Sequence, residues 1–318
     1  MMDLATTALP ASLARSLEPV LQRQCLNQLD PIRWFRTDWQ RGGAATGYST
    51  WTHEDGSSDE VVVKFPVVLR ELRWTRRMQD CGGVVPKLFA SGIGLGGYDL
   101  AWLVIERLPF GPLGKHWDDS IITRISSAAA AFTSAAREFP VDVNGRLEDW
   151  DELIKRSKKS IKVNSIKSSS KWKKMHKWLG RNLEDILDVW RARHTRQWLH
   201  GDIHLANSMC RSEKDDAPVC LIDLAEVHAG HWVEDAIYLE RQLWGHPSRL
   251  ASSKPLKSMA YARNAIGLKV AEDYIELANI RRLLLAATAP AFMQSEGDPR
   301  YLGACLDQFQ KMREVITL

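Results

Sequence analysis

Long apolar runs are missing from this sequence of 318 residues. A membrane-spanning helix needs roughly 18 consecutive apolar residues, and no stretch approaches that length. The longest candidate, LLLAATAPAF from Leu283, is short and contains Pro290. The first residues also lack the basic and then apolar segments of a secretory signal. We therefore expect neither a transmembrane helix nor a secretory leader.

Cysteine pairs at metal-binding or redox spacing are missing as well. The five cysteines are scattered and no C-x-x-C occurs, so the sequence predicts neither a zinc ribbon nor a thioredoxin-like site. Unpaired thiols are typical of proteins in a reducing compartment, and we therefore expect a cytoplasmic protein.

The overall composition is that of a globular chain, with 45% hydrophobic and 26% charged residues. The net charge of +4 is unevenly spread, because residues 151–200 hold 14 Lys or Arg against five Asp or Glu. This segment is either a solvated basic helical face or a surface for an anionic substrate or for membrane headgroups. Nucleic acid is not an expected partner, since no aromatic residues interleave with the cations as they do in RNA-recognition modules.

The hydrophobic pattern changes along the chain from strand-like to helix-like. Residues 11–28 predict an amphipathic helix interrupted near Pro19. Strands are predicted in the first third, with one helix among them at 67–79; the strand ranges are 32–37, 44–53, 60–65, 86–94 and 98–106. After the Gly- and Pro-rich stretch 108–114 the pattern predicts helices at 121–138, 171–193, 262–287 and 303–315. The Ser- and Lys-rich stretch 161–171 is predicted to be a mobile loop.

One glycine motif matches a nucleotide-binding fingerprint but lacks the structural context that the fingerprint requires. GIGLGG at Gly92–Gly97 matches the dinucleotide fingerprint G-x-G-x-x-G. That fingerprint requires a helix to follow, so that the helix N-terminus meets the pyrophosphate. A predicted strand follows here, so the motif indicates a glycine-rich hairpin.

The informative stretch begins at His200-Gly201-Asp202, with Asn207 five residues after the Asp. A second apolar run then leads to Asp223. The segments ANSMC and VCLID flank a polar turn and predict two short paired strands, which would bring Asn207 and Asp223 together. A carboxylate that orients a hydroxyl, together with oxygen ligands for Mg²⁺, is the equipment of phosphoryl transfer.

This H-G-D-x-x-x-x-N motif followed by I-D resembles the aminoglycoside phosphotransferase family. The resemblance implies an ATP-dependent kinase that acts with Mg²⁺ on a hydroxyl of a small molecule. It implies that Asp202 is the catalytic base and that Asn207 and Asp223 are metal ligands. It also implies that Asp235 braces the catalytic loop from the start of a helix.

The fold implied by the resemblance is the bilobal protein-kinase-like fold of the α+β class. It has a small β-rich N-lobe with one helix and a larger, mainly helical C-lobe. We expect an N-terminal helical extension at 1–30, the N-lobe at 31–108 and the C-lobe at 109–318, with the catalytic loop and acceptor site in the C-lobe.

The nucleotide-binding residues of the family have candidates upstream. Lys64 follows three valines at the end of a predicted strand and resembles the phosphate-binding Lys. Glu71 shares a helix face with apolar residues and is its expected partner. Gly42 and Gly43 would let the backbone approach the phosphates, which makes them candidates for phosphate binding. The hinge of the family corresponds to 102–108, where backbone groups of Glu106 and Leu108 would bind the adenine.

Two other functions stay open at this point. A kinase-like fold can persist as a catalytically silent nucleotide-binding module. Five histidines between His194 and His231 also raise a metal-dependent phosphate-ester hydrolase, although no H-E-x-x-H is present. The basic 151–200 segment favours an anionic or sugar-like acceptor and leaves peripheral membrane contact open. The sequence fixes neither the acceptor, nor ATP over GTP, nor the oligomeric state.

Overall fold

The structure, a computed structural model, describes residues 10–36, 44–115, 117–146, 148–214, 216–292 and 298–316. Its α-helices are α1 Pro10–Gln24, α2 Leu69–Arg77, α3 Ile121–Ala135, α4 Trp150–Val163, α5 Ser169–Arg191, α6 Val233–Arg241, α7 Pro247–Ser253, α8 Pro255–Ala265, α9 Tyr274–Thr288 and α10 Pro299–Val315. Its β-strands are β1 Arg33–Arg36, β2 Ala45–Thr52, β3 Ser58–Phe65, β4 Leu88–Gly92, β5 Trp102–Glu106, β6 Trp198–Leu199, β7 Ser208–Cys210, β8 Val219–Leu221 and β9 His228–Ala229.

Within the described residues, the first five strands form one antiparallel sheet in the order β1-β2-β3-β5-β4. On β3 the side chains alternate, and Val61, Val63 and Phe65 enter a core that α1 also lines. Lys64 therefore lies on the opposite face of the strand. The predicted strands and the helix between them are confirmed. The predicted hairpin is confirmed too, because the backbones of Leu95 and Tyr98 bond each other across the glycines.

Two compact units make up the described chain. The unit called here the sheet unit contains the described residues up to Pro112 together with Ala206–Val227. The unit called here the helical unit contains Leu113–Leu205 and the described residues from His228 onward. In the helical unit, α4 and α5 pack against each other and both pack against α9, which also contacts α6 and α10. The β-rich N-terminal and helical C-terminal regions confirm the predicted α+β class.

Three local predictions were wrong. The first helix runs without interruption through Pro19, because burial of Leu17 and Leu21 outweighs the one backbone hydrogen bond that proline cannot donate. The stretch 161–171 is mostly helical, since α4 continues to Val163 and α5 begins at Ser169. The buried Ile161, Ile166 and Trp172 hold these helix ends against the core. The predicted helix at 262–287 is divided into α8 and α9.

No helix in the described part of the chain has both the length and the apolar character needed to cross a lipid bilayer.

Candidate active site

The segment that carries Asp202 is a tight turn in the helical unit. β6 pairs with β9, and the chain turns sharply after β6 at Gly201, whose φ of +81° suits glycine. Asp235, in the first turn of α6, accepts hydrogen bonds from the backbone N–H groups of His200 at 3.1 Å and Gly201 at 2.9 Å. The turn is therefore fastened to the start of α6. Burial raises the pKa of Asp235 to about 6, against the lowering effect of His228 and these two amides.

The Asp202 carboxylate is half-buried and has two side-chain partners, His204 and Tyr238. Its Oδ2 lies 3.5 Å from His204 Nε2, and Tyr238 also bonds to its side chain. Burial alone would raise the pKa of Asp202, but the bonds from His204 and Tyr238 lower it to about 2. Asp202 is therefore ionised throughout the neutral range. It can accept a hydrogen bond from a substrate hydroxyl.

A buried ion pair between Arg193 and Glu234 lies beside this turn. Arg193 Nε donates to Glu234 Oε1 at 2.9 Å, and His228 Nε2 lies 3.4 Å from Glu234 Oε2. Burial would raise the pKa of Glu234, but His228, Arg281 and Arg193 lower it to about 2. Sequence reasoning missed Arg193 and Glu234, because 41 residues separate them in the chain. The only signal was the acidic pair that Glu234 forms with Asp235.

Gln242 is another residue that the sequence did not reveal. Its side chain accepts from the backbone N–H of Leu205 at 3.2 Å and donates to the carbonyl oxygen of Ile203 at 3.1 Å. It thus fixes the backbone that follows Asp202. A lone glutamine after a helix carries no sequence signal for this role.

Asn207 and Asp223 belong to the sheet unit, where they are brought together by a small hairpin. β7 and β8 pair as predicted, with Ser208 opposite Leu221. The next backbone bond runs from the N–H of Ile222 to the carbonyl oxygen of Asn207 at 3.0 Å. Asp223 follows directly, with a left-handed φ of +65° that is costly for a residue with a side chain. Such strain is typical of functional positions.

Lys64 connects this hairpin to the sheet and to α2. Its Nζ donates to Glu71 Oε1 at 2.6 Å and lies 3.4 Å from Asp223 Oδ1. Glu71 is buried on the inner face of α2 together with Thr75 and Met78, as the spacing predicts, whereas Val68 is exposed at the helix start. Burial lowers the pKa of Lys64, but Glu71 and Asp223 outweigh it and leave the pKa raised. Burial also raises the pKa of Glu71, against the effect of Lys64.

Glu106 ends β5, and its side chain is fully engaged within the protein. Arg211 donates to both of its carboxylate oxygens, at 2.7 and 2.8 Å, and the backbone N–H of Lys87 donates to one of them at 3.0 Å. For the Leu108 amide N–H, no partner is found among the described residues. This leaves a backbone donor for a ligand in the expected hinge. Gly42 and Gly43 lie outside the described residues.

The sheet unit thus gathers Lys64, Glu71, Asn207 and Asp223, while Asp202 lies in the helical unit. The oxygens of Asn207 and Asp223 are hard donors on one hairpin, and two such ligands suit Mg²⁺, which keeps water and phosphate oxygens for its other positions. Among the described residues, no group of three or more His, Cys, Asp or Glu could hold a metal ion. The histidines of this region have separate partners. His200 packs edge-on against Phe132, His204 lies next to Asp202, and His228 lies next to Glu234.

An antiparallel sheet with a Lys–Glu pair, followed by a helical region that carries a braced Asp, defines a kinase-like small-molecule phosphotransferase. The comparison of sequences agrees, since residues 49–256 match the phosphotransferase enzyme family. That range is well over half of the chain, and the protein belongs to this family. It is therefore a kinase. A search of curated protein sequences found no match.

Solved structures with the same fold are distant in sequence. An aminoglycoside phosphotransferase from Alicyclobacillus acidocaldarius subsp. acidocaldarius is 17% identical, with a TM-score of 0.57 over 90% of this chain and 89% of that one. The microcompartment-associated aminopropanol kinase is 13% identical, with a TM-score of 0.59 over 93% of this chain and 97% of that one. The GDP complex of wild-type aminoglycoside 2'-phosphotransferase-IIIa is 13% identical, with a TM-score of 0.55 over 95% and 98%. At these identities the likeness confirms the fold alone.

Proposed function

We propose that this kinase transfers the γ-phosphoryl group of ATP to a hydroxyl of a small, sugar-like molecule. The observation that carries the proposal is the Lys64 ammonium held between Glu71 and Asp223. Glu71 lies on α2 and Asp223 follows β8, so the two carboxylates come from separate elements. The Lys64 ammonium and the Asp223 carboxylate, a cation and a hard-oxygen ligand, thus lie side by side. A nucleotide triphosphate with its metal needs both.

Each residue of the sheet unit has a distinct part in nucleotide binding. Lys64 contacts the α- and β-phosphates, and Glu71 keeps its ammonium charged and oriented. Asn207 and Asp223 would hold Mg²⁺, which when bound neutralises charge on the phosphate oxygens. The backbone at Glu106 and Leu108 would receive the adenine. ATP is the nucleotide that the family resemblance implies, and a GDP complex of a protein with this fold makes GTP the necessary comparison.

Asp202 would act on the acceptor. Its ionised carboxylate orients the hydroxyl and takes the proton as the new bond to phosphorus forms. A low pKa is compatible with this part, because phosphoryl transfer relies chiefly on positioning and on neutralising charge. Asp235, Gln242 and the Arg193–Glu234 pair hold the turn so that the carboxylate keeps its direction.

The acceptor would bind in a cavity of about 590 Å³ in the helical unit. Gly201, Asp235 and Tyr238 line one side of it, and Tyr238 links it to Asp202, which does not itself line the cavity. This volume lies within the range of roughly 300–1,000 Å³ that is usual for small-molecule sites. Trp150 and Phe292 supply aromatic surface, and the wall includes arginines as well as carboxylates. Such mixed polar and aromatic walls favour a sugar-like acceptor over a strongly charged one. A second cavity of about 680 Å³ in the helical unit is lined by none of these residues.

A thermal-shift titration with ATP and with GTP, each with and without Mg²⁺, tests the nucleotide part. A ligand that binds only the native state at a hundredfold excess over its Kd adds roughly 2.7 kcal/mol to stability. We expect a Mg²⁺-dependent shift with ATP that is lost in a Lys64→Met variant and kept in a Lys87→Met variant. Turnover with hydroxylated acceptors then separates the kinase from a silent nucleotide-binding module. The absence of any shift in the wild type would overturn the proposal.

A further inference from the structure

Residues 153–183 contain eleven Lys or Arg and no Asp or Glu. Nine of the eleven are lysines, and the other two are Arg156 and Arg181. All eleven side chains are exposed. They lie on α4, on the short turn after it and on the first half of α5.

The lysines of both helices lie away from the buried sides, whereas the guanidinium of Arg156 lies over the ring of Phe292 and Arg156 lines the acceptor cavity. On α4 the inner face is formed by Ile154, Ser157 and Ile161, and on α5 by residues that include Trp172 and Leu179. Both inner faces pack on α9. Between residues 153 and 183 the outer faces of α4 and α5 therefore form one layer, called here the basic face, which points away from α9.

The basic face has no carboxylates of its own to balance it. The ion pairs found on α5 lie in its second half, where Arg191 pairs with Glu184 and Asp188 of the same helix. Across 153–183, which the structure describes in full, none of the eleven cations forms an ion pair with a described residue. A face that is merely solvated normally mixes both signs, since like charges repel. A surface of one sign fits a partner of the opposite sign.

The chemistry of the basic face selects among polyanionic partners. Lysine ammonium groups are hydrated point charges suited to a diffuse headgroup layer, whereas bidentate phosphate recognition favours arginine. Two packed helices make a layer wider than the roughly 12 Å major groove of DNA. Among the described residues of 153–183, Val163 is the only exposed large hydrophobic side chain. The face therefore has no exposed aromatic residue to stack on bases and no apolar patch for a protein interface.

We propose that the basic face binds the surface of a lipid bilayer that contains anionic headgroups. Each lysine near such a surface contributes attraction that salt screens. Val163, exposed at the end of α4, lies where it can enter the headgroup layer. The proposal is independent of the nucleotide assignment, and no lysine of the basic face lines the acceptor cavity.

Co-sedimentation of the full-length protein with vesicles tests this inference. The vesicles are phosphatidylcholine alone and phosphatidylcholine mixed with phosphatidylglycerol, at low and at high NaCl. The test variant replaces four lysines of the basic face by glutamine: Lys155, Lys159, Lys173 and Lys177. The control variant replaces four exposed lysines elsewhere in the helical unit by glutamine: Lys254, Lys257, Lys269 and Lys311.

We expect the wild type and the control variant to bind only the anionic vesicles and to be released by salt. The test variant should bind them at least about tenfold more weakly while keeping its melting temperature and its nucleotide-induced thermal shift. Equal weakening in both variants, or equal binding to neutral vesicles, would overturn the proposal. A wild type that does not bind the vesicles would also overturn it. So would duplex RNA that releases the wild type from the vesicles at lower concentrations than added phosphatidylglycerol vesicles do.

Discussion

The guanidinium of Arg211 donates two parallel hydrogen bonds to the carboxylate of Glu106, across 105 residues of sequence. The same guanidinium donates to the carbonyl oxygens of Gly83 at 2.6 Å and Val85 at 3.0 Å. Arg211 directly follows β7, and Glu106 ends β5. The pair thus ties the hairpin that carries Asn207 to the end of the strand where adenine is expected.

Replacing Arg211 by lysine should destabilise the sheet unit. Lysine cannot make the two parallel bonds and still reach both carbonyl oxygens. We expect the free energy of unfolding to fall by about 1–2 kcal/mol, because the pair is only partly buried. Urea denaturation measures this loss. Arg191→Lys, which changes an exposed pair on α5, is the control and should have little effect. Equal losses in the two variants would contradict this account of Arg211.

Replacing Asp202 by asparagine should abolish most of the turnover without weakening nucleotide binding. The amide keeps the size of the side chain but can neither take the proton nor carry the charge. We expect kcat to fall at least roughly 100-fold, the low end for a positioned general base. Steady-state kinetics and the ATP-induced thermal shift measure the two effects separately. Near-normal turnover would remove Asp202 from this role, and Asp216→Asn, on an exposed loop, is the matched control.

The pH profile should respond to Tyr238. Hydrogen bonds from His204 and Tyr238 hold the pKa of Asp202 at about 2, against the effect of burial. Removing the hydroxyl in Tyr238→Phe takes away one stabiliser of the charged form, so the pKa of Asp202 rises. Since the reaction needs the ionised carboxylate, the acid limb of kcat should move to higher pH. An unchanged acid limb in the variant would show that Tyr238 does not tune this group.

Magnesium dependence should be lost when Asp223 becomes asparagine. The variant removes the charged hard-oxygen ligand next to Asn207 and one of the two carboxylates around Lys64. We expect ATP affinity in the presence of Mg²⁺ to fall to the value seen without the metal. Isothermal titration calorimetry with and without Mg²⁺ gives both values. Asp59→Asn, an exposed change on β3, should retain the full metal effect, and a variant at Asp223 that also retains it would refute the ligand assignment.

Acid stability should depend on His231. This residue is buried, and its Nδ1 accepts from the backbone N–H of Val233 at 3.3 Å. Burial lowers its pKa from 6.5 to about 4, despite the carboxylates of Glu234 and Asp273. The folded protein thus keeps the ring neutral, and this contribution to stability is present above pH 6.5 and lost as the pH falls toward 4.

The size of this effect follows from the shift in pKa. We expect the difference in unfolding free energy between the wild type and a His231→Asn variant to shrink by about 3 kcal/mol between neutral pH and pH 4. Asparagine keeps an acceptor near Val233 but does not titrate. Urea denaturation at several pH values measures the difference. Parallel curves for the two proteins would contradict the prediction.

Much of the fold could be predicted because its signals are local. The alternation of Val61, Val63 and Phe65 marks a strand with one buried face, and the gap between the ANSMC and VCLID segments marks a hairpin. The Lys64–Glu71 contact could also be predicted, since the strand and the helix are neighbours in the chain. In these cases the pattern and the contact lie within a few residues of each other.

The rest depends on partners far away in the sequence. Arg211 and Arg193 look like ordinary surface cations until Glu106 and Glu234 reach them. The helix through Pro19 depends on the sheet that α1 covers. The helix ends within 161–171 depend on buried apolar residues, whereas the Ser- and Lys-rich composition of that stretch predicts a loop. No local pattern records these contacts, because each forms only when distant segments of the same unit pack together.

The sheet unit is interrupted in sequence, and this has a consequence for how the chain is made. A ribosome releases the chain from its N-terminus, and domains generally begin to fold as they emerge. Here the sheet is synthesised by Pro112, but Asn207, Arg211 and Asp223 follow only after roughly one hundred further residues. Until then Lys64 has a single carboxylate partner and Glu106 lacks its arginine. The nascent sheet must therefore wait until the chain is about one hundred residues longer before this unit can be completed.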